Sequence, residues 1–166
     1  MAVDSFRFMD PISARVMRAW MKRERPGPIP WTRPAKPLSA CRVAAISSAA
    51  IVASGDAPFD LERERADPWW GDPSYRRIPA TATEAGVDVQ HLHIDPQYAL
   101  ADLDCVLPLR RLRELADDGT IGDVAPTHYS FQGYQLDTTP FLADTVPRMI
   151  DDLRAESVDI ALLVPV

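Results

Sequence analysis

Apolar residues near the start of the chain recur every three or four positions, which predicts an amphipathic helix. The stripe comprises Phe8, Ile12, Val16, Met17, Trp20 and Met21. Asp10 is placed to cap this helix, and Pro11 suits its first turn. Five prolines between positions 26 and 37 follow and predict an extended tether, because proline fixes the backbone and removes a hydrogen-bond donor.

Continuous apolar runs further along predict strands that are buried on both faces. One run, RVAAIS, begins at Arg42 and ends near Ser47 and Ser48; another covers residues 49 to 53, and DIALLVPV ends the sequence. Residues 87 to 95 alternate between apolar and polar instead. They predict a half-buried strand with His91, His93 and Asp95 on one side.

Two segments with helical spacing lie between these strands. Leucines at 109, 112 and 115 predict a short helix closed by Gly119. Thr139 is predicted to cap a second helix that begins at Pro140. Its buried stripe would be Leu142, Val146, Met149, Ile150 and Leu153. Residues 60 to 83 and 123 to 140 are rich in turn-forming residues and are predicted to be irregular.

Buried strands separated by helices predict an α/β fold. We expect a Rossmann-like or flavodoxin-like parallel sheet with helices on both faces, incomplete at the C-terminus. Residues 1–38 would form the N-terminal helix and the Pro-rich tether, and residues 39–166 the α/β domain. The sequence contains neither GxGxxG nor GxxxxGK[ST], so it gives no positive signal for a nucleotide.

Composition narrows the function classes. The 166 residues are 46% hydrophobic and 25% charged, which is typical of one globular domain. A net charge of −6 argues against nucleic acid as a partner. No apolar run approaches the ~20 residues of a membrane span, and the first residues do not resemble a signal peptide, so we expect a cytoplasmic protein without a membrane partner. Cys41 and Cys105 form no CxxC pair and are predicted to be buried apolar residues.

Candidate site residues follow from the predicted sheet, since ligands of such folds bind at the carboxyl ends of the strands. Ser47 and Ser48 end the first strand and are candidate substrate contacts, although they could instead satisfy local backbone groups. The segment HYSFQGY supplies His128, Tyr129 and Ser130, which could contact a substrate carboxylate or form a turn packed by aromatic rings.

The three histidines, His91, His93 and His128, are the candidate catalytic residues. With Asp95 they could bind Zn²⁺ or Fe²⁺. They could also line a polar cleft or be hydrogen-bonded structural residues, and spacing alone does not decide between these roles. We assign no metal ligands.

Five sequence blocks, in order, resemble the selenoprotein B family of glycine, sarcosine, betaine and D-proline reductases. The blocks are RPAKPLSACRVAAISSA, GDPSYRRIP, HLHIDP, LPLRRLRELADDGTIGDVAPTHYSFQGY and DIALLVPV, and the fourth is the most specific. The resemblance implies an oxidoreductase that reductively cleaves the C–N bond of a small amino acid or its N-methyl derivative.

In that family a cysteine or selenocysteine motif follows the last strand, and here it would begin directly after Val166. The redox residue is absent from this sequence, so we expect a subunit or a fragment truncated at a recoded UGA codon. The resemblance also implies other reductase subunits as partners, one of them with a pyruvoyl group. An exposed sheet face would favour an oligomer. Two alternatives stay open: a non-catalytic binding or assembly module, and a metal-dependent enzyme that uses the three histidines.

Overall fold

The computed structural model describes residues 9–22, 27–28, 32–67 and 69–166. The chain divides into two compact units, which meet in sequence between Arg33 and Pro34. None of the helices in the described ranges has the length and apolar character that a bilayer span requires.

The first unit contains helix α1, Pro11–Met21. Oδ1 of Asp10 accepts hydrogen bonds from the backbone nitrogens of Ile12 (2.9 Å) and Ser13 (3.0 Å), so the predicted helix and its cap are confirmed. Phe8, the side chain of Trp20 and part of the predicted tether lie outside the described residues.

The second unit alternates strands and helices. Its strands are β1 (Arg42–Ser47), β2 (Ile51–Ala53), β3 (Tyr75–Pro79), β4 (Val87–Val89), β5 (Asp123–Val124), β6 (Thr127–Phe131) and β7 (Ile160–Val164). Its helices are α2 (Leu61–Ala66), α3 (Gln97–Ala101), α4 (Leu109–Asp117) and α5 (Val146–Ala155). A π-helical segment, Phe141–Thr145, leads into α5, and short 3-10 helices cover Leu38–Ala40, Glu84–Gly86 and Leu103–Cys105.

Strand β1 lies inside the main sheet. β7 pairs with it in parallel on one side. On the other side, β5 pairs in parallel with the start of β1, and β6 pairs in parallel with its end. β3 pairs antiparallel with β6, so the sheet is mixed, and β2 and β4 form a separate antiparallel pair. This arrangement confirms the α/β class and the buried strand that begins at Arg42. The last strand, β7, is present, but the prediction that it is buried on both faces is wrong, because its central residues are exposed.

Apolar side chains from both faces of the sheet enter separate clusters. Val43 and Ala45 of β1 belong to the larger one, which also contains Leu109 and Leu112 of α4. Ile46, the next residue of β1, contacts the smaller cluster with Tyr129 and Met149 of α5. Helices therefore cover both faces, as the sequence predicts, and each face buries alternate residues of β1.

Several predicted boundaries are wrong. Residues 60–83 contain α2 and β3 instead of an irregular loop, and residues 123–140 contain β5 and β6. The predicted strand over residues 87–95 ends at Val89, because its partner β2 is only three residues long. Consequently His91 and His93 lie in a loop and not on a strand face.

The two predicted helices are present, but Leu142 and Ile150, two residues of the predicted buried stripe of the second helix, are exposed. α4 ends before Gly119, whose φ of 77° lies in the left-handed region that glycine adopts readily. Thr139 is not the cap of the second helix: its backbone nitrogen donates to Oδ1 of Asp137 (3.0 Å), just before the helix begins. Cys41 is buried as expected, but Cys105 is exposed.

Candidate functional site

The candidate site is the edge of the sheet where β1, β6 and β7 end. The three strands run parallel, so their carboxyl ends lie at the same edge, which is where ligands bind in open α/β sheets. Ser48, Gln132 and Pro165 are the first residues beyond these strands.

Ser48 joins the three strand ends through hydrogen bonds. Its backbone nitrogen donates to the carbonyl oxygen of Val164 (3.1 Å), and its Oγ accepts from the backbone nitrogen of Val166 (2.8 Å). Its carbonyl oxygen accepts from the backbone nitrogen of Gly133 (3.0 Å). A Cβ on Gly133 would lie 3.0 Å from Cβ of Ser48, so this close approach favours glycine.

An open depression of about 180 Å³ lies beside Ser48. Its lining is mainly apolar: Ile46, Ser48, Phe131, Leu163, Val164 and Pro165. The ring of Phe131 packs against that of Phe141, with 4.7 Å between the centroids. The Ser48 hydroxyl is the polar side-chain group of this otherwise apolar surface.

The structure places Ser47 and Ser130 below the edge, fully buried. Oγ of Ser47 accepts a hydrogen bond from the backbone nitrogen of Ala49 (3.2 Å), and Oγ of Ser130 accepts one from that of Ile51 (2.7 Å). Both hydroxyls therefore accept hydrogen bonds from backbone N–H groups where the chain turns from β1 into β2. A substrate role for either stays a prediction.

His128 and Tyr129 lie inside the sheet. Nδ1 of His128 accepts a hydrogen bond from the backbone nitrogen of Ala45 (2.9 Å). Burial, together with the positive charge of Arg113, lowers the pKa of His128 to about 4. Tyr129 points to the opposite face, where burial raises the pKa of its hydroxyl well above its usual range.

His91 and His93 lie together, with 5.8 Å between their ring centroids. Nδ1 of His91 accepts a hydrogen bond from the backbone nitrogen of His93 (3.2 Å). His91 is buried, and this burial, followed by the charge of His93, lowers its pKa. The ring of His93 packs 4.2 Å from that of Tyr134, which directly follows Gly133.

Nε2 of His93 is 3.1 Å from Oε1 of Glu64, a buried carboxylate on α2. The other oxygen of Glu64 accepts from Nε2 of Gln132. Neither residue is predicted by the sequence, because LERER resembles a solvated helix face and Gln132 belongs to no motif. A buried glutamate in such a charged segment can be recognised as a site residue only when its hydrogen-bond partners are known.

The predicted histidine set is thus divided. The structure brings His91 and His93 together, and it places His128 within the ladder of the sheet. Asp95 accepts from the backbone nitrogen of Gln97 (3.0 Å) at the start of α3. Across the described ranges, no three His, Cys, Asp or Glu side chains are grouped so that they could hold a metal ion.

The fold and the site define an α/β protein with two features at the carboxyl edge of its sheet. One is a polar cluster of Glu64, His91, His93 and Gln132, and the other is the apolar depression beside Ser48. The family model described as Glycine/sarcosine/betaine reductase selenoprotein B (GRDB) matches residues 21–165. The chain therefore belongs to this family, which confirms the resemblance carried by the five sequence blocks.

Two curated relatives agree with this assignment. The chain is 32% identical over 138 residues to the D-proline reductase subunit gamma of Acetoanaerobium sticklandii, covering 83% of this chain and 53% of that protein. It is 32% identical over 136 residues to the glycine reductase complex component B subunit gamma of Symbiobacterium thermophilum, covering 81% of this chain and 30% of that protein. The chain thus spans about half of the first relative and under a third of the second. No solved structure matches the chain significantly.

Proposed function

We propose that the chain is part of a reductase of the glycine and D-proline reductase type. Its reaction would be the reductive cleavage of the C–N bond in a small amino acid or its N-methyl derivative. Family membership and the names of the two relatives support this function. The proposal includes other reductase subunits as partners, one of them carrying a pyruvoyl group.

The observation that carries the proposal is the match of the selenoprotein B family model to residues 21–165, which ends beside the carboxyl edge of the sheet. We propose that the redox residue of the full protein, a cysteine or selenocysteine, follows Val166. Oγ of Ser48 accepts a hydrogen bond from the backbone nitrogen of Val166 (2.8 Å) and donates one to the carbonyl oxygen of the same residue (3.4 Å). Ser48 therefore holds the backbone from which the redox residue would follow. A cysteine or selenocysteine at this edge would act as its thiolate or selenolate, and a lowered pKa makes that nucleophilic form available.

The chemistry assigns different tasks to the two parts of the site. The apolar depression beside Ser48 would exclude water from the reacting carbon and the nucleophile. The polar cluster would supply the proton that the nitrogen takes up when it leaves. The two electrons of the reduction would pass through the selenol or thiol.

The gene sequence across and beyond the codon after Val166 tests the redox residue. We expect UGA in the transcript, followed by a frame that encodes a nearby cysteine and a further α/β segment. A UAA or UAG codon with no readable frame beyond it would contradict the proposal. That result would favour a non-catalytic binding or assembly module.

Activity is tested on the full protein purified with the subunits that accompany it. Glycine, sarcosine, betaine and D-proline are each supplied with a dithiol reductant, and the reduced product is measured. We expect turnover of one substrate and its loss when the downstream cysteine or selenocysteine is replaced by serine. Cys105→Ser is the matched control, because Cys105 is exposed and should leave activity unchanged. Full activity without the downstream residue would exclude its redox role.

A further inference from the structure

We infer that Glu64 and His93 form a proton-transfer pair at the carboxyl edge of the sheet. His93 is the acid–base group, and Glu64, held by Gln132, is the residue that positions it. The identity of the substrate rests on the proposed function, whereas the pair itself rests on the geometry of these three side chains.

Gln132 sets the orientation of the pair. It is fully buried, and its Oε1 accepts a hydrogen bond from the backbone nitrogen of Asp72 (2.6 Å). The amide group therefore presents Nε2, which can only donate, to Glu64. A side chain whose two ends both have partners cannot rotate to exchange them.

Glu64 consequently accepts on one oxygen from Gln132 and faces His93 with the other. Its side chain is 2% exposed, whereas that of His93 is 49% exposed. A buried carboxylate requires partners that compensate for its lost hydration, and here they are one amide and one imidazole. The arrangement links a buried anion to a ring that reaches the surface.

His93 is fixed in the same way as the oriented imidazole of a catalytic triad. Because the carboxylate of Glu64 accepts, the neutral ring carries its proton on Nε2. Among the described residues no hydrogen bond involves Nδ1, so this nitrogen can exchange a proton. Packing against Tyr134 and the backbone contact to His91 hold the ring in place.

The proposed reaction needs such a group. A thiolate or selenolate forms a bond to carbon as the C–N bond breaks, and the nitrogen departs with the electron pair of that bond. Protonated His93 supplies the proton from Nδ1 and is left as the neutral Nε2–H form. The ring of His93 packs against Tyr134, which follows Gly133, and the backbone nitrogen of Gly133 donates a hydrogen bond to Ser48. The pair therefore lies at the same edge of the sheet as the position proposed for the nucleophile.

The tautomer of His93 tests the pair without any activity assay. In ¹⁵N-histidine-labelled protein at alkaline pH, long-range ¹H–¹⁵N spectra should show the Nε2–H form for His93. Glu64→Gln should reverse it to Nδ1–H, because Gln132 would take the new carbonyl oxygen and leave the new NH₂ facing His93. The control is Glu62→Gln, an exposed neighbour on α2 that should change nothing. His91 and His128 are internal references, since both accept backbone hydrogen bonds on Nδ1.

An Nδ1–H form of His93 in the unmodified protein would overturn the inference, and so would an unchanged tautomer in Glu64→Gln. If Glu64→Gln fails to fold, the unmodified spectrum still decides. In the reductase assay, Glu64→Gln should lower kcat by about 10²-fold with little change in KM, and Glu62→Gln should not. Tautomer reversal in a protein that reduces none of the four amino acids would support the pair and reject the proposed function. Turnover of one of the amino acids with an unchanged tautomer in Glu64→Gln would support the proposed function and reject the pair.

Discussion

Nδ1 of His128 lies 2.9 Å from the backbone nitrogen of Ala45 and accepts its hydrogen bond. β5 pairs with residues 42–43 of β1 and β6 pairs with residues 46–47, so Ala45 faces the break between the two strands. The imidazole supplies the acceptor that a continuous strand would have supplied. A histidine therefore completes the sheet directly below the candidate site.

Replacing His128 should reveal this contribution. His128→Leu leaves the amide of Ala45 buried without an acceptor, which costs about 1–3 kcal/mol. His128→Asn keeps an acceptor near the position of Nδ1 and should cost less. Urea unfolding of both variants measures the difference, and equal losses of the free energy of unfolding would show that the hydrogen bond contributes little.

The same residue predicts a pH dependence of stability. The pKa of His128 is about 4 in the folded protein, below the 6.5 of an ordinary histidine, so protonation favours the unfolded chain. Its stabilising contribution is fully present above pH 6.5 and is lost as the pH falls towards 4, by on the order of 3 kcal/mol. Unfolding free energies of the unmodified protein and His128→Asn, compared at both ends of this range, should converge at low pH. A constant difference would contradict the assignment.

The sequence predicts the strands that consist of continuous apolar runs, and it misses those that bury polar residues. β1 and β7 are recognisable because both faces carry small or branched apolar side chains. β6 carries His128 and Ser130 on one face, and their polarity indicates a loop until their backbone partners are known. Tertiary hydrogen bonds, which no local pattern encodes, make these residues suitable for a buried strand.

The candidate site divides in a similar way. Ser48 follows from a general rule, because the position after a buried parallel strand lies at the ligand-binding edge. His91 and His93 were recognised from their residue type, although the loop that carries them was predicted to be a strand. Glu64 and Gln132 could not be found, since they meet only when α2 packs beside the end of β6.

Gly71 lies where Tyr134 approaches the chain most closely. A Cβ on Gly71 would be 1.7 Å from the carbonyl oxygen of Tyr134, which the backbone cannot accommodate without moving. We expect Gly71→Ala to destabilise the protein by about 2 kcal/mol or more and to displace Tyr134 from His93. Gly86→Ala is the control, because its new methyl group would meet nothing closer than 3.9 Å. Similar thermal unfolding midpoints for both variants would contradict this prediction.

Ser48→Ala should loosen the end of β7. Removing Oγ takes away the acceptor of the Val166 amide, and a hydrogen bond of this kind contributes about 1 kcal/mol. The amide of Val166 should then exchange with solvent about fivefold faster, as measured by hydrogen exchange with NMR detection. Ser54→Ala, at an exposed turn, should leave this rate unchanged. An unchanged rate in Ser48→Ala would show that Val166 is held by other contacts.

Leu163 should promote association of this chain. Its side chain is 69% exposed on β7, beside Leu162, which is 39% exposed, and within the described residues β7 pairs with β1 alone. An apolar edge strand is a surface on which a second chain can pack, and burying one leucine contributes about 1.5–3 kcal/mol. Leu163→Lys should therefore weaken self-association at least about tenfold in sedimentation experiments. The control is Tyr98→Lys, which removes an equally exposed apolar side chain from α3. Equal effects of the two variants would exclude β7 as the associating surface, and so would an unmodified chain that stays monomeric at all concentrations.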